Sequence, residues 1–169
     1  NRFKVIRGDI RNFNLLKKIF SDAKEEEKPI NYVIHLAGKK SIFESKEEPI
    51  DYWSNNVSGS INLLNVMEKF NCRNIVFSSS ATIYGESQKM PLKENFDIKP
   101  ISTYGQTKST VENILKDIYD KSPGQWRIAI LRYFNPAGAH SSGLIGEQPC
   151  GKPNNLFPFL TQVALGLRE

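Results

Sequence analysis

Short apolar runs rich in valine and isoleucine alternate along the chain with longer stretches in which apolar residues recur every three or four positions. The short runs, which predict strands, are residues 3–7, 32–36, 75–79 and 127–133. The longer stretches predict helices with one apolar face. Because parallel strands must be joined by crossover connections, usually helices, the pattern predicts a doubly wound, Rossmann-like α/β fold with a parallel sheet.

The predicted helices lie around residues 15–20, 57–67 and 111–118. After Phe134 the pattern changes, because glycine and proline become frequent and regular structure is disfavoured. This segment is predicted to be a functional loop. A last helix is predicted over residues 156–167.

Composition narrows the class of protein. The 169 residues include 23 Lys+Arg and 18 Asp+Glu, and 39% of them are hydrophobic, which excludes a disordered polyelectrolyte. The chain has no long apolar run of the kind that predicts a membrane span. The basic residues are scattered among acidic ones, so nucleic acid is not an expected partner. Cys72 and Cys150 are too few for a disulfide framework, and the amino terminus lacks a signal-peptide pattern, so a cytoplasmic location is expected.

Tyr104 and Lys108 stand four residues apart in a predicted helix, so their side chains share one face. A free tyrosine has a pKa of about 10, and its use as a base near neutral pH requires a shift of roughly 3 units, or about 4 kcal/mol. An ammonium about 4 Å away supplies roughly that energy in a closed cleft, but only about 1 kcal/mol in open water. The pair predicts a general base in an enclosed site, although solvated helix faces show the same spacing by chance.

Three serines, Ser78 to Ser80, lie at the carboxyl end of the strand predicted over residues 75–79. Ligands of open α/β sheets bind outside the carboxyl ends of the strands, so Ser80 is placed to hydrogen-bond a sugar hydroxyl and to assist Tyr104. The alternative is that the serines only end the strand. His35 and His140 are predicted to be structural, and two isolated histidines predict no metal site.

Three motifs occur in one order along the chain: SSSATIYG at residues 78–85, YGQTK at 104–108 and LRYFNPAGAH at 131–140. Together they resemble the sugar-nucleotide epimerases of the extended short-chain dehydrogenase/reductase family. The family's glycine-rich Gly-x-Gly-x-x-Gly-type turn is missing, as are its first two strands. The resemblance implies that the chain is part of a longer enzyme, with an exposed sheet edge at residues 32–36, and that it binds NAD poorly and is inactive by itself.

The resemblance also implies roles for individual residues. Tyr104 would be the base, Lys108 would hold the nicotinamide ribose of NAD, and Ser80 would assist proton transfer. Besides Tyr104 and Lys108, the implied NAD contacts are Asp9, Ile10, Leu36, Ala37, Gly38, Lys40 and Asn55. The implied contacts with a UDP-sugar are Ser80, Phe134, Asn135, Asn155 and Leu156.

The implied reaction is the NAD-dependent interconversion of UDP-glucose and UDP-galactose through a 4-keto sugar. Residues 1–135 would be part of an NAD-binding domain, residues 136–169 would begin the substrate-binding region, and helices 52–70 and 104–119 would form a homodimer. Another nucleotide-sugar epimerase, a 4,6-dehydratase and a non-catalytic NAD- or nucleotide-sugar-binding protein remain alternatives. The dehydratase is disfavoured because no Asp-Glu pair follows Thr82.

Overall fold

The computed structural model describes residues 3–86, 90–147, 149, 153 and 155–168. Along the first part of the chain lie α1 (Phe13–Glu25), β1 (Val33–His35), α2 (Ile42–Glu47), α3 (Pro49–Tyr52), a π-helical segment (Trp53–Ser58) and α4 (Gly59–Lys69). They are followed by β2 (Asn74–Ser80), a 3-10 turn (Ala81–Tyr84), α5 (Thr103–Lys121), β3 (Arg127–Tyr133) and α6 (Leu156–Ala164). The chain divides into two compact units, residues 1–132 and 133–169.

The three strands form one parallel sheet in the order β1-β2-β3. In the pair β1 and β2, Val33 lies opposite Ile75 and His35 lies opposite Phe77. These strands agree with three of the four predicted ones, and the predicted parallel α/β class is confirmed. The expectation that residues 1–135 and 136–169 have separate functions stays a prediction.

The strand predicted at residues 3–7 is wrong, because the structure gives this segment no regular secondary structure. Phe3 and Val5 are 87% and 86% exposed. A strand is stabilised by hydrogen bonds to a neighbouring strand, and none pairs with this segment within residues 3–86 and 90–147. Local apolar composition was therefore not sufficient to form a strand here.

Strand β1 lies at one edge of the sheet, as expected. Ile34 in β1 and Leu36 just after it are 68% and 64% exposed, so the face of the sheet on which they lie is open to solvent. On this open side a concavity of about 520 Å³ is lined by Tyr32, Val33, Ile34, Asn74, Ile75, Val76, Arg127, Ile128 and Ala129. The sheet therefore presents an uncovered apolar face beside β1.

The hydrophobic core forms on the other face of the sheet. Ile75 and Phe77 of β2 pack there with residues of α1, α4 and α5. The core cluster consists of Phe20, Leu63, Leu64, Val66, Met67, Cys72, Ile75, Phe77, Val111, Leu115 and Trp126. Apolar residues at helical spacing in α4 and α5 meet alternate residues of β2, which is the arrangement that the sequence pattern predicts.

The helix predicted over residues 52–70 begins earlier and is not regular. Helical backbone runs from α3 through the π-helical segment into α4. Within it the buried Ser60 hydroxyl donates to the carbonyl oxygen of Asn56. Irregular π-helical turns are frequent at functional sites, and nothing in the apolar pattern indicates this one.

Two smaller expectations concern the cysteines and membranes. Cys72 is buried with a free thiol, and Cys150 lies outside the described residues. In the part of the chain that the structure describes, no helix is long and apolar enough to cross a membrane.

Replacing Leu115 by alanine tests the core. Leu115 is 1% exposed on α5, so the variant should lower the free energy of unfolding by about 2–5 kcal/mol in urea denaturation. Lys116→Ala, at the exposed neighbouring position, is the control and should change it by less than about 0.5 kcal/mol. Equal effects of the two variants would contradict this description of the core.

Candidate active site

The first turn of α5 is fixed against the end of β2. The Ser102 hydroxyl caps the helix by accepting a hydrogen bond from the Gly105 amide at 3.1 Å. A Cβ atom on Gly105 would lie 2.9 Å from the Thr82 carbonyl oxygen, so a larger residue would push the helix away. Glycine at this position lets Tyr104 approach the carboxyl end of β2.

Ser80 and Tyr104 are brought together as predicted. The Ser80 Oγ accepts hydrogen bonds from the Thr82 amide at 3.2 Å and the Thr82 hydroxyl at 3.0 Å. Its remaining hydrogen bond is with the Tyr104 side chain and acts to lower the pKa of that phenol. Burial has the larger effect, so the pKa of Tyr104 is raised above its usual value. The lowered pKa expected from the sequence is therefore not found in the protein alone.

Lys108 lies one helical turn beyond Tyr104 and is 6% exposed. Its Nζ donates to the Ser78 carbonyl oxygen at 2.7 Å and lies 5.9 Å from the centre of the Tyr104 ring. Burial lowers the pKa of Lys108 to about 8. The ammonium is thus in the enclosed environment that the sequence argument requires, close to the phenol.

The loop after β1 reaches the same place. A Cβ atom on Gly38 would lie 3.3 Å from the Asn56 Oδ1 and 3.5 Å from the Lys108 Nζ. Leu36, Ala37, Gly38 and Lys40 are all exposed. An open loop that runs past a buried lysine leaves room for a ligand along this path.

Asp9 and Ile10 lie in the segment that precedes α1. The Asp9 carboxylate accepts hydrogen bonds from the Arg11 guanidinium, which holds the pKa of Asp9 at about 2. Ile10 lies against Gly59, whose Cβ position would be 2.5 Å from the Ile10 Cγ2. Asn55 is half-buried in the π-helical segment.

The four residues expected to hold a UDP-sugar, other than Ser80, lie in the second unit. Phe134 and Leu156 are 65% and 60% exposed, and Asn135 is exposed in the loop after β3. Asn155 precedes the first turn of α6, and its Nδ2 donates to the Glu147 carboxylate at 2.7 Å. Their assignment to substrate stays a prediction.

Asn56 is a site residue that the sequence argument missed. Its Oδ1 accepts from the Lys39 amide at 2.8 Å, and its Nδ2 donates to the Lys39 carbonyl oxygen at 3.0 Å and to the Thr107 hydroxyl at 3.1 Å. The side chain therefore joins the Gly38 loop to α5. The sequence argument selects the neighbouring Asn55 instead, because only the folded chain shows that Asn56 is the buried and hydrogen-bonded residue of the two.

The two histidines have local partners. His35 is buried with its Nε2 2.8 Å from the Ser60 hydroxyl, and burial together with the charge of Lys108 lowers its pKa to about 4. The His140 Nδ1 lies 2.8 Å from the Ser142 hydroxyl. Among the described residues, no cluster of three or more metal-ligating side chains occurs.

The sequence of the chain matches a family model and several known proteins. The model of the NAD dependent epimerase/dehydratase family matches residues 1–166. UDP-glucose 4-epimerase of Yersinia pestis is 50% identical over 98% of this chain and 48% of that protein. Bifunctional UDP-glucose 4-epimerase and UDP-xylose 4-epimerase 1 of Pisum sativum is 50% identical over 94% of this chain and 44% of that protein.

The solved structures that resemble the chain include the UDP-glucose 4-epimerase from Bifidobacterium longum in complex with NAD+ and UDP. It has a TM-score of 0.87 and 42% sequence identity, covering 98% of this chain and 48% of that one. The chain thus spans about half the length, or less, of these relatives.

Replacing Asn56 by alanine tests the connection between the Gly38 loop and α5. The variant removes both hydrogen bonds to Lys39, so the Lys39 amide should exchange with solvent faster by on the order of tenfold, the effect of about 1.4 kcal/mol. Asn55→Ala is the matched control and should leave this exchange unchanged. Protection of Lys39 that survives in Asn56→Ala would show that other contacts hold the loop.

Proposed function

The chain belongs to the NAD-dependent epimerase/dehydratase family, and from this we propose that the protein interconverts UDP-glucose and UDP-galactose through a 4-keto sugar, with NAD as cofactor. The observation that carries the proposal is the buried group of Ser80, Tyr104 and Lys108 at the carboxyl end of β2. The names of the relatives support the choice of reaction and substrate.

The residues of this chain fit NAD. Gly38 leaves a space beside Lys108 that a side chain would fill, and the loop from Leu36 to Lys40 is open to solvent apart from the half-buried Lys39. In the proposal, this loop, Asn55 and the segment with Asp9 and Ile10 hold NAD, and Lys108 holds its nicotinamide ribose. NAD would supply hydride transfer, accepting a hydride from carbon 4 of the sugar and returning it to the other face.

Tyr104 would take the proton from the 4-hydroxyl of the sugar. Ser80 would assist this transfer, because Thr82 donates to both of its lone pairs and its own hydroxyl proton is left to hydrogen-bond the phenol oxygen, which stabilises the phenolate. Lys108 would stabilise the resulting phenolate charge, with an effect that is large only where water is excluded. Return of the proton from Tyr104 would complete the reaction, so the tyrosine acts first as base and then as acid.

The UDP-sugar would be held by Phe134, Asn135, Asn155 and Leu156, with residues 136–169 as the beginning of the substrate-binding region. Dehydration is disfavoured, because Ile83 and Tyr84, which follow Thr82, are buried and neither is an acid. We also propose a cytoplasmic location, because two cysteines are too few for the disulfide framework that is common in secreted proteins.

We also propose a homodimer through helices 52–70 and 104–119. Ile61 on α4 and Tyr119 on α5 are 40% and 46% exposed, so both helices present apolar surface away from the core. Packing of these two helices against the same two helices of a second copy would bury this apolar surface.

Replacing Tyr104 by phenylalanine tests the role of the phenol. The variant keeps the ring and removes the hydroxyl, so kcat for the epimerisation of UDP-galactose should fall by on the order of 10²–10⁴ in the protein at its natural length. Tyr32→Phe, which changes an exposed tyrosine outside the candidate site and outside the two proposed dimer helices, should retain the activity.

Three outcomes would overturn the proposal. Unchanged turnover by Tyr104→Phe would remove the assigned base. Release of a 4-keto-6-deoxy sugar by the unmodified protein would make it a dehydratase, and NAD or UDP-sugar binding without any turnover would favour the non-catalytic alternative.

Replacing Ile61 by glutamate tests the homodimer. The charge would have to be buried in the interface, so sedimentation should give a monomer where the unmodified protein gives a dimer. Ile50→Glu is the control, because Ile50 is 84% exposed on α3 outside helices 52–70 and 104–119. A dimer that tolerates Ile61→Glu would contradict the proposed interface.

A further inference from the structure

Glu112 continues the polar face of α5 that carries the candidate active site. It lies four residues beyond Lys108, as Lys108 lies four beyond Tyr104, so the three side chains stand above one another on the helix. Its side chain is 0% exposed. A carboxylate in such a place is strongly destabilising unless it is paired and hydrogen-bonded.

The partner is Arg132 of β3. Its Nη2 donates to the Glu112 Oε2 at 2.8 Å and its Nε donates to the Glu112 Oε1 at 3.1 Å. The same Oε1 accepts the Ser79 hydroxyl at 2.5 Å. The Arg132 Nη1 donates to the Tyr84 hydroxyl at 2.8 Å and to the Glu94 carbonyl oxygen at 2.8 Å.

This network holds the backbone on both sides of Ser80. Ser79 directly precedes it, and Tyr84 ends the 3-10 turn that Ser80 caps. Both are bonded to the Glu112–Arg132 pair, so the position of the Ser80 hydroxyl against Tyr104 depends on that pair.

The network is also electrically neutral. A lone carboxylate here would oppose formation of the Tyr104 phenolate, and a lone guanidinium would favour it. With the two charges cancelled, the ammonium of Lys108 dominates the field at Tyr104.

Charges on the other packed elements do not replace this balance. From α2 and α3, Glu44 and Asp51 are ion-paired with Lys39. From β1, His35 is neutral near neutral pH because burial lowers its pKa to about 4. Strand β2 and the π-helical segment carry no charged side chain, and the 3-10 turn contributes the Tyr84 hydroxyl, which is bonded to Arg132.

We propose that the Glu112–Arg132 ion pair positions the active site: it sets the place of Ser80 and, by its neutrality, leaves the phenol of Tyr104 under the charge of Lys108. The two residues are positioning residues that act through Ser80, Tyr104 and Lys108. This inference rests on the proposed function for its catalytic consequences, but the effect on the phenol can be measured without it.

Glu112→Gln tests the electrostatic part in the protein at its natural length. The amide preserves the shape and can still accept from Ser79, but it leaves the charge of Arg132 uncompensated. An added positive charge disfavours the protonated forms of both Tyr104 and Lys108, so both limbs of the pH profile of kcat should move to lower pH, by on the order of one unit. Asp117→Asn makes the same charge change at an exposed position of α5 and should not move the profile.

A second readout does not require turnover. The ultraviolet absorbance of the Tyr104 phenolate, taken as the difference from Tyr104→Phe in the same background, should show the same downward shift of its pKa in Glu112→Gln. The double variant Glu112→Gln/Arg132→Met restores neutrality and should return the phenol pKa to its original position.

Arg132→Lys tests positioning separately, and it serves where Glu112→Gln does not fold. Lysine keeps the charge but loses the forked contacts to Glu112, Tyr84 and the Glu94 carbonyl. The pH profile should stay in place while kcat falls by on the order of tenfold and KM changes little.

The possible failures are distinguishable. An unmodified protein without epimerase activity would reject the proposed function, while the phenolate titration would still test the ion pair. An unmodified protein that is active, combined with a Glu112→Gln profile and phenol pKa that do not move, would overturn the electrostatic role. Full activity of Arg132→Lys would overturn the positioning role.

Discussion

Burial of three polar side chains on the sheet-facing side of α5 is the constraint on which the site depends. Moving a charged group out of water costs several kcal/mol unless it is hydrogen-bonded or paired. The end of β2 meets this requirement, because its three serines supply a carbonyl to Lys108 and hydroxyls to Glu112 and Tyr104. Each of the three serines therefore has its own partner on α5, and the position of the strand end determines the position of the candidate site.

Periodicity predicted most of the fold, and spacing predicted which side chains lie together at the candidate site. Two local signals, the Tyr104–Lys108 spacing and the serines at the end of a strand, predicted side chains that the structure brings together. Asn56 and the Glu112–Arg132 pair were missed because their contacts join residues 17 to 51 positions apart, such as Asn56 to Lys39 and to Thr107. A signal for Glu112 did exist: an acid four residues after Lys108, on the face already assigned to the site.

The same distinction explains the strand that was predicted wrongly. Residues 3–7 have the composition of a strand, but a strand exists only when another strand lies beside it. Apolar pattern describes one segment at a time and contains no information about its neighbour. The exposed edge at β1 could be anticipated, because that expectation came from the strand order of the family that the sequence resembles rather than from composition.

The raised pKa of Tyr104 is consistent with a base that becomes active only when ligands are bound. In the protein alone, burial outweighs the hydrogen bond from Ser80, and the Lys108 ammonium is bonded to the Ser78 carbonyl. Burial also lowers the pKa of Lys108 to about 8, so its charge depends on the same exclusion of water. Exclusion of water strengthens the attraction between ammonium and phenolate, but it also penalises each of the two charges, as the two pKa shifts show. Under the proposed function, the rest of the decrease in the pKa of Tyr104 therefore has to come from bound ligands.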